Sequence, residues 1–186
     1  MPLPRLAQLV TRALMPQLTA VVIEDTAWTE GEVLRGITGA LTILGQCGLG
    51  ANRLTLLRIR APVAFHDLST RESRRLAAAL DAPRPTLFFV RDTRNRPAFD
   101  AEAFGSQNTR LRPELTHTVW ITRQAPELAE AIAHELFHIL ADDGSHSDDT
   151  ANLMHDRTAP GRRVLNSQQC AKMLEAGRNA GLLSEQ

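Results

Sequence analysis

A chain of 186 residues has the length of one domain, and with 43% hydrophobic residues it can bury a core of its own. Its 21 basic and 21 acidic side chains give a formal net charge of zero, so the charge balance implies no nucleic-acid partner. No run of about 18 apolar residues occurs, which excludes the usual membrane-spanning helix. We therefore expect a globular protein with neither a nucleic-acid nor a membrane partner.

The N-terminal half alternates β-branched or leucine-rich runs with amphipathic ones, which predicts alternating strands and helices. Thr29–Glu32 and Ser69–Glu72 each have the S/T-x-x-E pattern of a capping box, which opens a helix. The first helix is expected to end near Gly48 and the second at Leu80. The predicted strands are Thr19–Glu24, Arg53–Arg60, Thr86–Val90 and Thr116–Thr122, and a last helix is predicted from Ser167 to Gly177.

Two features of the sequence bear on the cellular compartment: the N-terminal segment and the two cysteines. Residues 3–23 are moderately apolar, but Arg5 and Arg12 interrupt them and no clean small-residue cleavage site follows. We expect a cytoplasmic protein if Met1 is the native start, and a secreted one if a signal segment has been removed. The two cysteines, Cys47 and Cys170, permit one disulfide, and two buried thiols are the alternative.

The most informative motif is the H-E-x-x-H run from His134 to His138. Residues four apart lie on one face of an α-helix, so His134 and His138 can direct both imidazoles at one metal ion. Glu135 lies beside the first histidine, where a carboxylate can take a proton from a metal-bound water. This arrangement is the ligand pair and general base of a zinc peptidase.

The motif helix has predicted ends. Pro126 is expected in its first turn, and Glu127 and Glu130 suit its positive N-terminal end. The helix is expected to run through Ala141. Gly144 is predicted to take the left-handed conformation that ends it.

Two further residues follow at spacings that suit a catalytic zinc, which needs three protein ligands and one open position. His146 comes just after the predicted turn, and Met154 follows eight residues later. This order resembles the metzincin family of zinc metallopeptidases, whose pattern is H-E-x-x-H-x-x-G-x-x-H followed by a Met-turn. The resemblance implies zinc ligation by His134, His138 and His146, Glu135 as general base, and Met154 as the structural methionine beneath the site.

The resemblance also implies an α/β (α+β) fold: a twisted mixed sheet with a backing helix, an active-site helix and a short C-terminal helical lobe. One domain over residues 1–186 is expected, with an upper lobe at 19–142 and a lower lobe at 143–186. Residues 97–115 would hold the edge strand of the sheet, along which family members bind peptide as an added strand. The alternative for residues 91–112 is a solvated, arginine-rich connection.

The third ligand departs from the family pattern. Ala141 and Gly144 stand where that pattern has glycine and histidine, so the histidine arrives two residues late. Asp142 is the alternative ligand because it continues the helical face of His138, and Asp143 and Asp148 are further candidates.

Other polar residues of the loop have open interpretations. The acidic cluster of Asp142, Asp143, Asp148 and Asp149 is a solvated loop, a set of carboxylates that orient the histidines, or a structural calcium site. His155 is either a solvent-facing loop residue or part of a substrate cleft.

The sequence therefore predicts a zinc-dependent endopeptidase with one catalytic zinc ion and a peptide or protein substrate. One alternative is a non-catalytic module that holds a partner in the same groove, and another is a zinc hydrolase of a non-peptide amide. Glu135 favours an enzyme, because a module that only binds does not need this carboxylate.

Overall fold

The structure is a computed structural model that describes residues 13–93, 101–157 and 159–185. Arg5 and Arg12 lie outside the described residues. In chain order the elements are β1 (Ala13–Met15), β2 (Leu18–Ile23), α1 (Glu30–Leu44), β3 (Leu49–Ala51), β4 (Leu54–Ile59), α2 (Thr70–Leu80), β5 (Thr86–Phe89), β6 (Ala101–Phe104), β7 (Thr118–Ile121), α3 (Leu128–Ala141), α4 (Ser167–Asn179) and β8 (Ser184–Glu185). Across these described ranges, no helix combines the length and apolarity that crossing a lipid bilayer requires.

The larger sheet has five strands in the order β4-β2-β5-β7-β6. The first four run parallel, and β6 pairs antiparallel with β7, with Ala101 opposite Ile121 and Phe104 opposite Thr118. β6 therefore forms an edge of the sheet. This confirms the strand predicted within 97–115, although residues 97–100 lie outside the described ranges.

The sheet is covered on both faces, as the alternation of buried side chains along its strands requires. On β2, Ala20 and Val22 belong to the core cluster that contains residues of α1 and α3. Val21 and Ile23 of the same strand belong to the cluster that contains residues of α2. Each fully buried aliphatic side chain contributes about 1.5–3 kcal/mol to folding. The predicted mixed α/β class is confirmed.

Helix α3 is seated by unusually close contact with α1. A Cβ added to Gly36 would lie 2.6 Å from the Leu128 side chain, and one added to Gly39 would lie 2.7 Å from the Cβ of Ala129. Side chains at these two positions would push the helices apart, because packed interiors leave no room for an added methyl group. The N-terminal half of α3 is therefore fixed against α1.

A second, smaller sheet and a disulfide join described parts of the chain that are distant in sequence. The sheet has the order β3-β1-β8, with β3 parallel and β8 antiparallel to β1; the sequence patterns did not predict it. Cys47 lies in a 3₁₀ turn after α1 and forms a disulfide with Cys170 of α4. Of the two alternatives for the cysteines, the disulfide is the one present.

The helix caps agree only in part with the sequence patterns. The capping box of Thr29 and Glu32 is present. The second predicted box is wrong: the Ser69 side chain makes no cap hydrogen bond, and Glu72 instead pairs with Arg75 at 2.8 Å. Pro126 also lies before the first turn of α3, because this helix begins at Leu128.

Candidate metal centre

His134 and His138 are both oriented by backbone carbonyl groups. Nδ1 of His134 lies 2.8 Å from the carbonyl oxygen of Leu153, and Nδ1 of His138 lies 2.5 Å from that of Asp143. A carbonyl oxygen can only accept a hydrogen bond, so each Nδ1 must carry the hydrogen. In the neutral imidazole this leaves Nε2 as a lone-pair donor on both rings.

The two lone-pair atoms face each other. Nε2 of His134 lies 3.0 Å from Nε2 of His138. A hydrogen bond between them would require one ring to be protonated. Burial, together with the neighbouring His138, lowers the pKa of His134 to about 4, and burial also lowers the pKa of His138. Two neutral rings with converging lone pairs repel each other, and a shared metal cation turns that repulsion into attraction.

His146 completes a group of three imidazoles. Its ring centroid lies 5.3 Å from that of His134 and 5.1 Å from that of His138. One ring nitrogen from each of the three can be chosen so that all lie within 4.8 Å of one another, close enough to hold one metal ion. Among the described residues this is the one such group of three or more ligand side chains, and it contains no carboxylate. The burial of the three falls from His134, which is buried, to His146, which is exposed.

Helix α3 ends at Ala141 and the turn is made by Asp142, so the prediction for Gly144 is wrong. Asp142 adopts the left-handed conformation, with φ 45° and ψ 45°, while Gly144 is not among the residues with positive φ. A short polar side chain tolerates this conformation, so the chain turns two residues earlier than predicted. The turn redirects the backbone so that His146 comes back to the other two histidines.

The carboxylate of Asp142 holds the loop after the edge strand. Its Oδ1 accepts hydrogen bonds from the backbone amides of Ser106 at 3.0 Å and Gln107 at 3.3 Å. Gly105 leaves room for this oxygen, because a Cβ at that position would lie only 3.0 Å from it. Asp142 thus joins the end of β6 to the end of α3.

Asp143 is anchored to α4. Lys172, the only lysine of the chain, lies 2.6 Å from Oδ2 of Asp143, and the backbone amide and hydroxyl of Ser145 donate to the same carboxylate. The hydrogen bond from Lys172 is the main cause that lowers the pKa of Asp143 to about 2. Because the carbonyl of Asp143 orients His138, this ion pair supports the site from α4.

The other two acidic residues lie in the loop. Asp149 accepts the backbone amide of Ala151 at 2.9 Å, which closes a local turn, and Asp148 is exposed. The acidic residues therefore have different roles: Asp143 orients a histidine through its backbone carbonyl, and Asp149 stabilises a turn of the loop.

Met154 lies in a tight turn that contacts the site through Leu153 and Ser147. It is 1% exposed and belongs to the core cluster that includes residues of α3. Its carbonyl accepts the amide of Ser147 at 2.6 Å, and its amide donates to Oδ1 of Asn152 at 2.8 Å. Asn152 is buried and exchanges two side-chain hydrogen bonds with Gln169 of α4. The turn therefore holds the residue after His146.

A cleft of about 700 Å³ opens over the histidines. One wall is the edge strand β6, with Ala101, Glu102 and Ala103, and the floor is α3, with Ala131 and Glu135. Gln107 and Asn108 of the loop after β6 also line the cleft, so residues 91–112 are not solely a solvated connection. Glu135, which follows His134 in sequence, is thus among the residues that line the cleft.

His155 supports the rim of the cleft. Its Nδ1 lies 2.7 Å from Oδ1 of Asp156 and 2.6 Å from Nη1 of Arg162, and its side chain is 19% exposed. Asp156 and Arg157, the next two residues, line the cleft. His155 is therefore half-buried and contacts a residue of this rim, Asp156.

Several supporting residues were not singled out from the sequence. Lys172 and Gln169 reach the site from α4, and Ser106 and Gln107 reach it from the loop after β6. Only Lys172 could have been noticed from the sequence, because it is the single lysine of the chain. The remaining contacts join positions far apart in the chain, which spacing patterns do not register.

Comparison with solved structures identifies the class of fold. The chain is similar to the crystal structure of metalloproteinase-II from Bacteroides fragilis, with a TM-score of 0.63 and 16% sequence identity. The alignment covers 88% of this chain and 53% of that one, so the chain spans about half the length of the solved structure. The sequence matches no family model and no curated protein. The fold is thus similar to that of a metalloproteinase, and the three histidines can bind a metal ion within it.

Proposed function

We propose that the protein is a zinc-dependent endopeptidase. The observation that carries this proposal is the pair of Nε2 atoms of His134 and His138, which converge at 3.0 Å with both Nδ1 atoms already donating to carbonyl groups. Imidazole ligands suit zinc, and three of them leave a fourth position open for a reacting group. The similarity of the fold to a metalloproteinase supports the same class.

The proposal includes the metzincin arrangement implied by the sequence. In it His134, His138 and His146 are the ligands, and Met154 is the buried residue of the turn beneath them. The group of three imidazoles and the burial of Met154 support this assignment. Asp142 is not proposed as a ligand, because its Oδ1 accepts two backbone amides of the loop after β6.

When bound, the zinc ion supplies Lewis acidity to the cleft. The proposed role of Glu135 is general base and then general acid: it takes a proton from the attacking water and passes it to the leaving amine. Its place among the residues that line the cleft supports this role. The carbonyl groups of Leu153 and Asp143 hold the two imidazoles in the tautomer that keeps Nε2 available.

The substrate is proposed to be a peptide in extended conformation. The edge strand β6 forms a wall of the cleft, and a peptide laid beside it can add main-chain hydrogen bonds as a further strand. This mode of binding needs no particular side chain, so it supports a peptide more than a small amide. Specificity would come from the rim residues, such as Asn108 and Arg157.

The disulfide bears on the compartment. Structural disulfides persist in oxidising environments and are rare in the cytosol. The bond between Cys47 and Cys170 therefore supports a protein that folds outside the cytoplasm. This favours the secreted alternative over the cytoplasmic one.

Metal analysis of the purified protein, followed by digestion of a peptide library, tests the proposal. We expect one zinc per chain, cleavage of internal peptide bonds, loss of cleavage with a chelator and recovery on adding zinc. Bound zinc without cleavage of any peptide would support a binding module or a hydrolase of another amide. Cleavage that persists at zero metal content would contradict the proposal.

A further inference from the structure

A buried carboxylate lies one helical turn before the first histidine and has no part in the proposed chemistry. Glu130 is in the first turn of α3, and its side chain is 2% exposed. Nε and Nη2 of Arg163 each lie 2.7 Å from Oε1 of Glu130. Burying a carboxylate costs free energy unless the carboxylate is paired, and Arg163 supplies the pairing for Glu130. Because a buried ion pair adds little net stability, stability alone does not account for this contact.

The ion pair closes a circuit that returns to His134. Arg163 precedes Val164, whose carbonyl accepts the amide of Leu153 at 2.8 Å. Leu153 in turn accepts the Nδ1 hydrogen of His134 through its own carbonyl. Glu130 and His134 are four residues apart and so lie on the same face of α3. The segments around Leu153 and Val164 are paired by a backbone hydrogen bond. Two successive turns of α3 hold these segments: Glu130 holds one through Arg163, and His134 holds the other through Leu153.

The far side of the same segment is already fixed. Nε2 of Gln46 donates to the carbonyl of Arg163 at 2.6 Å, and Oε1 of Gln46 accepts the amide of Leu165 at 3.0 Å. Gln46 adjoins the disulfide residue Cys47. These contacts tie the segment to the 3₁₀ turn after α1, and the ion pair ties it to the helix that carries the histidines.

We propose that Glu130 and Arg163 are positioning residues for His134. Their ion pair sets the distance between α3 and the segment at 163–165, and that segment places the Leu153 carbonyl that fixes the tautomer and direction of the imidazole. The inference rests on the proposed function in so far as His134 is a metal ligand. Loss of a group that orients a ligand typically weakens metal binding about 10–100-fold.

The test compares four proteins: wild type, Arg163→Met, the double variant Glu130→Met with Arg163→Met, and the control Arg60→Met. The control removes an ion pair with Glu24 at 2.9 Å, which is outside the circuit. Arg163→Met leaves a buried carboxylate unpaired and can fail to fold. The double variant replaces the pair with apolar side chains, which usually preserves stability.

Two readouts are measured below the unfolding temperature of every variant that folds. The first is zinc affinity by competition with a chelator. The second is the solvent exchange of the His134 Nδ1 hydrogen in the metal-free protein, followed by proton NMR. We expect the double variant to bind zinc at least about 10-fold more weakly than wild type and to exchange this hydrogen faster, with Arg60→Met unchanged.

A double variant with wild-type zinc affinity and wild-type exchange would overturn the proposal and leave the pair a purely structural role. Failure of the wild type itself to bind zinc would contradict the proposed function instead. In that case the exchange of the Nδ1 hydrogen still decides the positioning role, because it is measured without metal.

Discussion

The ring of His146 lies nearly parallel to that of His134, at an interplanar angle of 22° and a centroid distance of 5.3 Å, although the two are twelve residues apart in sequence. The left-handed turn at Asp142 makes this approach possible. His146 and Asp142 are the two candidates for the third ligand, and they differ in what each contacts. The imidazole lies with the other histidines, and the carboxylate holds the loop after β6.

His146→Ala should therefore weaken zinc binding strongly, because two imidazoles hold the ion poorly. Asp142→Asn is the matched comparison, since the amide oxygen can still accept the amides of Ser106 and Gln107. We expect it to retain zinc. Titration of both metal-free variants with zinc against a competing chelator makes the measurement. Retention by His146→Ala with loss in Asp142→Asn would move the ligand to the carboxylate.

The metal-free protein should lose stability as pH falls from about 6.5 towards 4. The folded-state pKa of His134 is lowered from 6.5 to about 4, so between these values the unfolded chain binds more protons than the folded one. The stabilising contribution is complete above about pH 6.5 and is lost as pH falls through the folded pKa. Its size is on the order of 3 kcal/mol, and His138 adds to it in the same direction.

Urea unfolding of the metal-free protein at about pH 7, 6 and 4.5 measures this dependence. Asp143, with its pKa lowered from 3.8 to about 2, acts only at lower pH. Burial also lowers the pKa of His117, which adds to the loss of stability in the same window. A free energy of unfolding that stays constant down to about pH 4.5 would mean that the two rings are not buried as the structure has them.

Removal of the disulfide should destabilise the protein without abolishing its fold. The bond between Cys47 and Cys170 joins residues 123 apart in sequence, so it constrains a long loop of the unfolded chain. The double variant Cys47→Ala with Cys170→Ala is expected to lower the free energy of unfolding by about 2–5 kcal/mol. A reducing agent should have the same effect on wild type and none on the variant. Equal stability of oxidised and reduced wild type would argue against the bond.

Met154→Leu should cost less than about 1.5 kcal/mol of stability, because the change nearly preserves the volume of a buried apolar side chain. Zinc binding should be retained, since the methionine is proposed to pack beneath the site without ligating the metal. Met154→Asp should unfold the site, because it places an unpaired charge in the core. Thermal unfolding and zinc content of the two variants make the comparison. Loss of zinc in Met154→Leu would instead indicate that the sulfur is a ligand.

Local patterns were sufficient to predict the central helix and most of the strands. Helical spacing placed His134 and His138 on one face, and residues 18–23, 54–59 and 86–89 form strands within the predicted ranges or one residue beyond them. These features depend on neighbours within a few residues, which is the range over which periodicity carries information. The capping box at Thr29 belongs to the same class.

The turn after α3 was harder to predict, because both glycine and aspartate can adopt the left-handed conformation and the sequence has both types there. Glycine is the usual occupant, yet Asp142 takes it, stabilised by the loop at Ser106 and Gln107, which is distant in sequence. The disulfide and the ion pair of Glu130 and Arg163 also depend on a partner that is distant in sequence. In each case the deciding partner lies at least thirty residues away, and one sequence gives no signal of that pairing.

The turnover of Glu135→Gln on a cleaved peptide tests whether Glu135 carries the proton during hydrolysis. The amide is nearly isosteric, so zinc content and thermal unfolding should match wild type, and Glu175→Gln on α4 is the control for a carboxylate outside the cleft. We expect turnover to fall on the order of a hundredfold or more in Glu135→Gln and to be unchanged in the control. Wild-type turnover in a zinc-loaded Glu135→Gln protein would contradict the proposed role of Glu135 in hydrolysis.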